Sequence, residues 1–229
     1  MTIFQNIVNS NYFYQPGWMA VFIILSVVIT GYLFSAFHSR FVSVLRSFFT
    51  MRFASQMARE EYSLTHPVSV FLSINFLITA PLFILQFISS GMFTDLLIEN
   101  PFSYLLATIL IVALIYFIKI IGIKILGFIF KKSALANEYT FTIFLVNQII
   151  GIALVPVIIF IAYGAKSFSG PFIYTGLILL VLAFIIRVGK GIFAVVGSGS
   201  ITLFYLFLYL CTLEILPLLL GFKLLEKLV

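Results

Sequence analysis

A series of long apolar stretches is the feature that most constrains this chain. A transmembrane helix needs about 20 mainly apolar residues, and six segments meet that requirement. They are predicted at about 18–37, 68–89, 102–130, 140–163, 172–187 and 201–222. Hydrophobic residues make up 63% of the chain and charged residues only 9%, against about 25% charged in soluble domains. We therefore predict an all-α membrane protein, a six-helix transmembrane bundle.

No repeat, low-complexity tract or linker divides the sequence, so residues 1–229 are predicted to form a single integral membrane domain. Basic residues concentrate in the segments that follow the first, third and fifth predicted spans, whereas the loop before the third span carries Asp95 and Glu99. The positive-inside rule places the basic segments in the cytoplasm and both termini on the non-cytoplasmic side. A basic balance of this kind reflects membrane topology, so we expect no nucleic-acid binding. The basic residues concerned are Arg40, Arg46, Arg52, Arg59, Lys124, Lys131, Lys132, Arg187 and Lys190.

A basic amphipathic segment, about residues 39–60, joins the first two predicted spans. Phe41, Val44 and Phe48 recur in it at helical spacing, which is typical of a helix that lies on a membrane surface. We predict a cytoplasmic-surface helix that contacts a partner or lipid. It either docks a partner or gates a substrate, or it anchors the chain on anionic lipid. Its arginines are Arg40, Arg46, Arg52 and Arg59.

Two charged residues fall inside predicted spans, Lys119 in the third and Glu214 in the sixth. A charge at the bilayer centre costs roughly 2.5–3.5 kcal/mol on insertion scales, so such residues face the bundle interior. At 1.5 Å per residue they lie about 16 Å and about 20 Å from the cytoplasmic ends of their spans. These depths favour a buried ion pair. The alternatives are a coupled proton or ion site, or a Lys119 that extends toward the cytoplasm and leaves Glu214 protonated.

Neutral polar residues extend this pattern. Asn75 and Asn147 lie at similar depths in the second and fourth predicted spans, about 10 Å from the cytoplasmic ends, and Tyr205 and Tyr209 occupy the same half of the sixth. Interhelical hydrogen bonds explain such a layer, and a cytoplasm-facing cavity is the alternative. The sixth span has polar groups on two faces, which predicts that it lies at the centre of the bundle. The predicted intramembrane polar core is Glu214, Lys119, Asn75, Asn147, Tyr205 and Tyr209.

Enzyme signals are weak in this sequence. The segment Gly197–Ser200 resembles the serine motif of rhomboid proteases, but no histidine follows His66 to act as a base. With only His38 and His66 in the chain, no catalytic zinc set is available. We therefore predict no catalytic residue, no cofactor and no metal, and expect that the protein is not an enzyme.

The last apolar segment resembles the carboxyl-terminal signature of an uncharacterised family of bacterial inner-membrane proteins with a domain of unknown function. It reads FYLFLYLCTLEILPLLL. Residues 46–53, 138–139, 144–147 and 151–156 are similar to the same family, whose members are often encoded near uroporphyrinogen-III synthase. The resemblance implies a location in the bacterial inner membrane and supplies no activity, substrate or catalytic residue.

Two functional hypotheses follow from these patterns. The first is a non-enzymatic scaffold, assembly or accessory subunit of a larger membrane complex, with the lipid bilayer and other membrane proteins as its partners. The second is a small transporter or channel that uses Glu214 and Lys119 in its pathway. A membrane enzyme that acts on lipid is a third reading, supported only by the surface arginines.

Overall fold

The computed structural model describes residues 17–49, 66–92, 101–129, 131, 133–164 and 166–196. In these ranges the regular secondary structure is helical throughout. A short π-helix, Ile88–Met92, continues the third helix. The α-helices are α1 (Trp18–Ala36), α2 (His38–Phe49), α3 (Pro67–Phe87), α4 (Pro101–Ile129), α5 (Ser133–Tyr163) and α6 (Lys166–Val196).

Five of these helices, all except α2, are long and apolar enough to cross a bilayer. They correspond in order to the first five predicted spans, and α1 and α4 begin and end within one residue of the prediction. The helix α5 begins at Ser133 rather than near 140, and α6 extends beyond 172–187 at both ends. An apolar segment indicates which part of a helix can face lipid, but it does not set where the helix ends. The intrahelical hydrogen bonds of α5 and α6 therefore continue into the flanking polar residues. The sixth predicted span, about 201–222, lies outside the described residues, so the number of spans stays a prediction.

The helices α3 and α5 lie at the centre of the described bundle. Buried residues make up 61% of the spanning segment of α3 and 56% of that of α5. The corresponding values are 22% for α1, 11% for α4 and 17% for α6. The two central helices run in the same direction, because Ser69 contacts Gln148 near one end and Gln86 contacts Ile158 near the other. The sixth span was predicted to hold the central position, and this prediction falls outside the part of the chain that the structure describes.

A glycine permits the close approach of α3 and α5. A Cβ atom built on Gly151 would lie 2.9 Å from the Cα of Phe76, a distance that side chains do not adopt. Small residues of this kind are the usual means by which membrane helices bring their backbones together. A second glycine, Gly176 of α6, accommodates the ring of Phe83, with which a Cβ atom at this position would collide.

The outer helices α1, α4 and α6 present apolar side chains outward, as expected of surfaces that face lipid. Two aromatic pairs lie at one end of the bundle, which we call the aromatic end. There the rings of Trp18 and Phe102 meet edge to face at 5.4 Å, and those of Phe160 and Phe172 stack at 4.6 Å. The exposed apolar residues include Val21, Ile24, Val28, Leu110, Leu114, Phe117, Ile178, Val181 and Ile185.

The opposite end of the bundle, where α1 and α4 end and α3 and α5 begin, carries most of the described basic side chains. We call it the basic end, and it carries Arg40, Arg46, Lys124, Lys131 and Lys190. The chain turns sharply at Phe37, whose φ of −129° and ψ of 40° separate α1 from α2. Backbone hydrogen bonds continue across the turn, from Phe37 N–H to Leu33 O at 3.0 Å and from Phe41 N–H to Phe37 O at 2.9 Å.

The helix α2 packs against the basic end through its apolar side. Phe41 and Val44 are buried there in a cluster that includes Leu33, Leu72 and Leu145. Its basic side chains, Arg40 and Arg46, are exposed. The surface helix was predicted at about 39–60, and the described part of that segment is helical from His38 to Phe49. The remainder, with Arg52 and Arg59, lies outside the described residues.

Candidate functional site

Polar side chains are buried inside the bundle on four of the five long helices. A polar group removed from water is costly unless it is hydrogen-bonded, so an intramembrane cluster of such groups is the first place to look for function. Several of these groups come from helices distant in the sequence. The buried polar side chains include Ser26, Ser69, Asn75, Thr79, Gln86, Lys119, Thr140, Asn147 and Gln148.

The amide of Asn147 connects three helices. Its Oδ1 accepts a hydrogen bond from the hydroxyl of Tyr116 on α4 at 2.9 Å and a second one from Nη2 of Arg187 on α6. The ring of Tyr116 also meets that of Phe76 on α3 edge to face, with centroids 5.5 Å apart. Asn147 therefore lies where α4, α5 and α6 converge beside α3.

The neighbouring residue, Gln148, connects α5 to α3. Its Nε2 donates to Ser69 Oγ at 2.7 Å, to the Ser69 carbonyl oxygen at 3.1 Å and to Ser73 Oγ at 3.2 Å. All of these oxygens lie in the first two turns of α3. Because Asn147 and Gln148 project toward different neighbours, two adjacent residues of α5 hold three other helices.

A third set of contacts lies deeper along α3. The hydroxyl of Ser26 on α1 donates to Asn75 Oδ1 at 2.5 Å, and the hydroxyl of Thr79 donates to the Asn75 carbonyl oxygen at 3.0 Å. Further along, Gln86 Nε2 donates to the carbonyl oxygen of Ile158 on α5 at 3.4 Å. Within the described ranges, Asn75 Nδ2 and Gln86 Oε1 have no hydrogen-bond partner.

The structure places Arg187 differently from the sequence-based expectation. We expected Arg187 and Lys190 in a cytoplasmic connection after the fifth span, but both lie on α6, within Ser169–Lys190. Arg187 reaches inward, and its Nη2 donates to Asn147 Oδ1. Charged side chains on membrane-spanning helices generally face the interior of the bundle in this way. Lys190 reaches α2, where its Nζ lies 3.5 Å from the Ser47 carbonyl oxygen and 5.1 Å from the centroid of the Phe48 ring.

Only part of the predicted polar core lies among the described residues. Asn75, Asn147 and Lys119 are buried in the bundle, and Lys119 is only 7% exposed. Glu214, Tyr205 and Tyr209 lie outside the described residues, so the proposed pairing of Lys119 with Glu214 stays a prediction.

Sequence reasoning missed two of the main participants, Tyr116 and Arg187. Tyr116 precedes Lys119 by three residues and therefore shares its helix face, a signal that the sequence contained. Ser26, Ser69 and Ser73 gave no comparable signal, because serines in membrane helices commonly bond to their own backbone. Ser73 does so here as well, donating to the Ser69 carbonyl oxygen at 2.8 Å.

The chemistry available at this site is that of amides, hydroxyls and a guanidinium. Among the described residues no group of three His, Cys, Asp or Glu side chains could hold a metal ion. Glu138 contributes the one carboxylate in the described part of the chain. The arrangement can join helices and orient a polar molecule through hydrogen bonds.

Comparison with known proteins identifies one family. A family model described as "Domain of unknown function (DUF4271)" matches residues 19–225, nearly the whole chain. No curated protein and no solved structure matches the chain. The description of the family gives no activity, so any function has to be argued from the bundle itself.

Proposed function

Because the chain belongs to the DUF4271 family of unknown function, we propose its role from the arrangement of its helices. It is a non-enzymatic membrane protein that acts as a scaffold, assembly or accessory subunit of a larger membrane complex in the bacterial inner membrane. The observation that carries this proposal is the position of α2, which is fixed to the bundle and turns its basic side chains outward.

The fixation of α2 involves its apolar side and the backbone at Ser47. Phe41 and Val44 are buried against α1, α3 and α5. The ammonium group of Lys190 lies near the last turn of α2, at the carbonyl oxygen of Ser47. An ammonium group can donate a hydrogen bond to a backbone carbonyl oxygen, so this contact joins α6 to α2.

A fixed helix is well suited to recognition. Arg40 and Arg46 are exposed on α2, and a partner that binds them does not have to order a flexible loop first. Complementary charge accelerates association and selects among partners. We infer an acidic segment of another membrane protein as the partner, and anionic lipid headgroups are the competing occupant of the same surface.

The polar interior is consistent with this structural role. Asn147 and Gln148 use their amides to hold α3, α4 and α6. Groups committed to contacts between helices give a rigid bundle, which is what a scaffold requires.

Charge reversal on α2 tests the proposal. The protein is crosslinked in native membranes, purified in mild detergent and examined for stoichiometric partners. We expect the Arg40→Glu/Arg46→Glu variant to lose about tenfold or more of the recovered partner, equivalent to ~1.4 kcal/mol or more of binding. Lys124→Glu is the matched control, because Lys124 is exposed at the same end but lies on α4.

Two outcomes would count against this role. One is a monomer without partners after crosslinking of the unaltered protein. The other is equal loss of binding in the Lys124→Glu control, which would indicate general attraction to anionic lipid. Vesicles with and without anionic lipid then measure that attraction directly.

A transporter or channel is the second candidate, favoured by the burial of Lys119 on a membrane-spanning helix. In this proposal Lys119 and Glu214 take part in the permeation pathway. Proton flux into proteoliposomes under a potassium diffusion potential tests it, with Lys119→Gln and Glu214→Gln as the variants. A flux that is indistinguishable from empty liposomes, or that neither variant changes, removes the basis for this candidate.

A further inference from the structure

Three buried polar residues share one face of α3. Asn75, Thr79 and Gln86 are separated by four and seven residues, which places them within about 40° of one another around the helix. Each is at most 1% exposed. The rise from Asn75 to Gln86 is about 16 Å, so the polar face extends over much of the bilayer core.

At the first of these residues, half of the amide lacks a partner. Asn75 Oδ1 accepts from the Ser26 hydroxyl, and Nδ2 has no partner among the described atoms. Exchanging the amide oxygen and nitrogen does not remove the problem, because the Ser26 hydroxyl then accepts from Nδ2 and the oxygen loses its partner. A buried unsatisfied group of this kind costs about 1–3 kcal/mol.

In Gln86 the amide oxygen, rather than the nitrogen, lacks a hydrogen-bond partner among the described atoms. Its Nε2 donates to the Ile158 carbonyl oxygen, while Oε1 has no partner within the described ranges. Here the amide orientation is fixed, because the exchange would bring two oxygen atoms together. Asn75 therefore needs another acceptor, and Gln86 needs another donor.

An apolar layer separates the two positions. Leu82 lies on the same face of α3, between Thr79 and Gln86, and is 1% exposed. Phe83 follows it and is packed against Gly176 of α6, where any side chain would collide with its ring. Leu82 and Phe83 therefore separate the amide of Asn75 from the amide of Gln86, so the two do not lie in one continuous polar channel.

We propose that Asn75 and Gln86 each bind a buried water molecule, so that α3 contains two internal hydration sites separated by Leu82 and Phe83. A water molecule both donates and accepts, and buried waters typically make about three hydrogen bonds to groups that the protein leaves unsatisfied. At Asn75 the oxygen of Thr79 offers a further contact one turn away. At Gln86 the hydroxyl of Ser90 is similarly close along the chain.

Hydroxyl-radical labelling by X-ray radiolysis, read by mass spectrometry on the full-length protein in lipid nanodiscs, tests the two sites. Radicals form from bound water, so we expect labelling around residues 75–79 and again around residues 86–90. Leu154, which is 0% exposed, serves as the dry reference. Labelling of both regions at the level of Leu154 would overturn the proposal.

Two leucine variants test the separation of the sites. Asn75→Leu should reduce labelling near 75–79 to the Leu154 level and leave labelling near 86–90 unchanged. Gln86→Leu should give the reverse result. Simultaneous loss of both signals in either correctly folded variant contradicts two independent sites and indicates one continuous column of water.

Discussion

At the residue scale, the sequence predicted that Asn147 belongs to the polar core, but it did not predict which side chains Asn147 contacts. An asparagine inside an apolar run has to be satisfied by a neighbour, so its importance follows from the sequence alone. Its partner Arg187 was expected in a connection, because the apolar run ends there. Its other partner, Tyr116, precedes Asn147 by 31 residues. Which helix faces meet depends on helix rotation, which the pattern of apolar residues does not determine.

Removal of the Asn147 amide should destabilise the bundle. Asn147→Ala takes the shared acceptor away from the Tyr116 hydroxyl and the Arg187 guanidinium. We expect a loss of about 2 kcal/mol, because two half-buried donors lose an acceptor and one of them is charged. Unfolding titration in mixed detergent micelles measures the change.

Two further substitutions control for this result. Asn147→Asp keeps an acceptor and adds a negative charge toward Arg187, so it should retain stability. Thr142→Ala removes a half-buried hydroxyl whose one hydrogen bond among the described residues is to its own helix, at the Glu138 carbonyl oxygen. It should change stability by less than about 0.5 kcal/mol. If Asn147→Ala is as stable as Thr142→Ala, Asn147 does not hold the helices together.

At the scale of elements, the positions of the five long helices could be predicted, although α5 and α6 extend beyond the predicted limits, and the neighbours of each helix could not. The apolar runs gave the limits of α1 and α4 within one residue. No sequence pattern predicted that α3 packs against α5. The two helices are separated in the chain by α4, and their backbones approach closely at Gly151 and Phe76. Gly151 is informative only when its neighbour Phe76 is known.

A pair of glycine substitutions separates packing from helix propensity. Gly151→Ala brings a methyl group to 2.9 Å from the Cα of Phe76, so we expect a loss of about 1–3 kcal/mol from overpacking. Gly31→Ala in α1 meets no described atom within 4 Å and should gain roughly 0.5–1 kcal/mol from helix propensity. The same unfolding titration compares the two proteins. Equal effects of the two substitutions would show that the α3–α5 contact is loose.

At the scale of the whole molecule, most of the described basic side chains gather at one end of the bundle, whereas Lys119 is buried within it. The sequence predicted that the basic segments lie on one side of the membrane, and the directions of the helices place Arg40, Lys124 and Lys190 together at the basic end. The predicted orientation, with that end in the cytoplasm, stays a prediction that follows from the positive-inside rule.

Reporter fusions test this orientation. Alkaline phosphatase, which is active only outside the cytoplasm, should be active when fused after Gly164 at the aromatic end and inactive when fused after Lys131 at the basic end. A fluorescent protein that folds only in the cytoplasm should give the opposite result. If both reporters reverse, the basic end is extracytoplasmic and the proposed cytoplasmic role of α2 fails with it.

The parallel pairing of α3 and α5 has a consequence for biosynthesis. The ribosome completes α3 and α4 before α5 exists, so Gln148 reaches Ser69 and Ser73 only after α4 has crossed the membrane. During this interval the inner face of α3 lacks its partner. We therefore expect the insertion machinery to retain α3 until α5 emerges and to release these helices to lipid as a group. Crosslinking of α3 to the insertase should persist in nascent chains that end at Ile129 and disappear in chains that extend well beyond Tyr163.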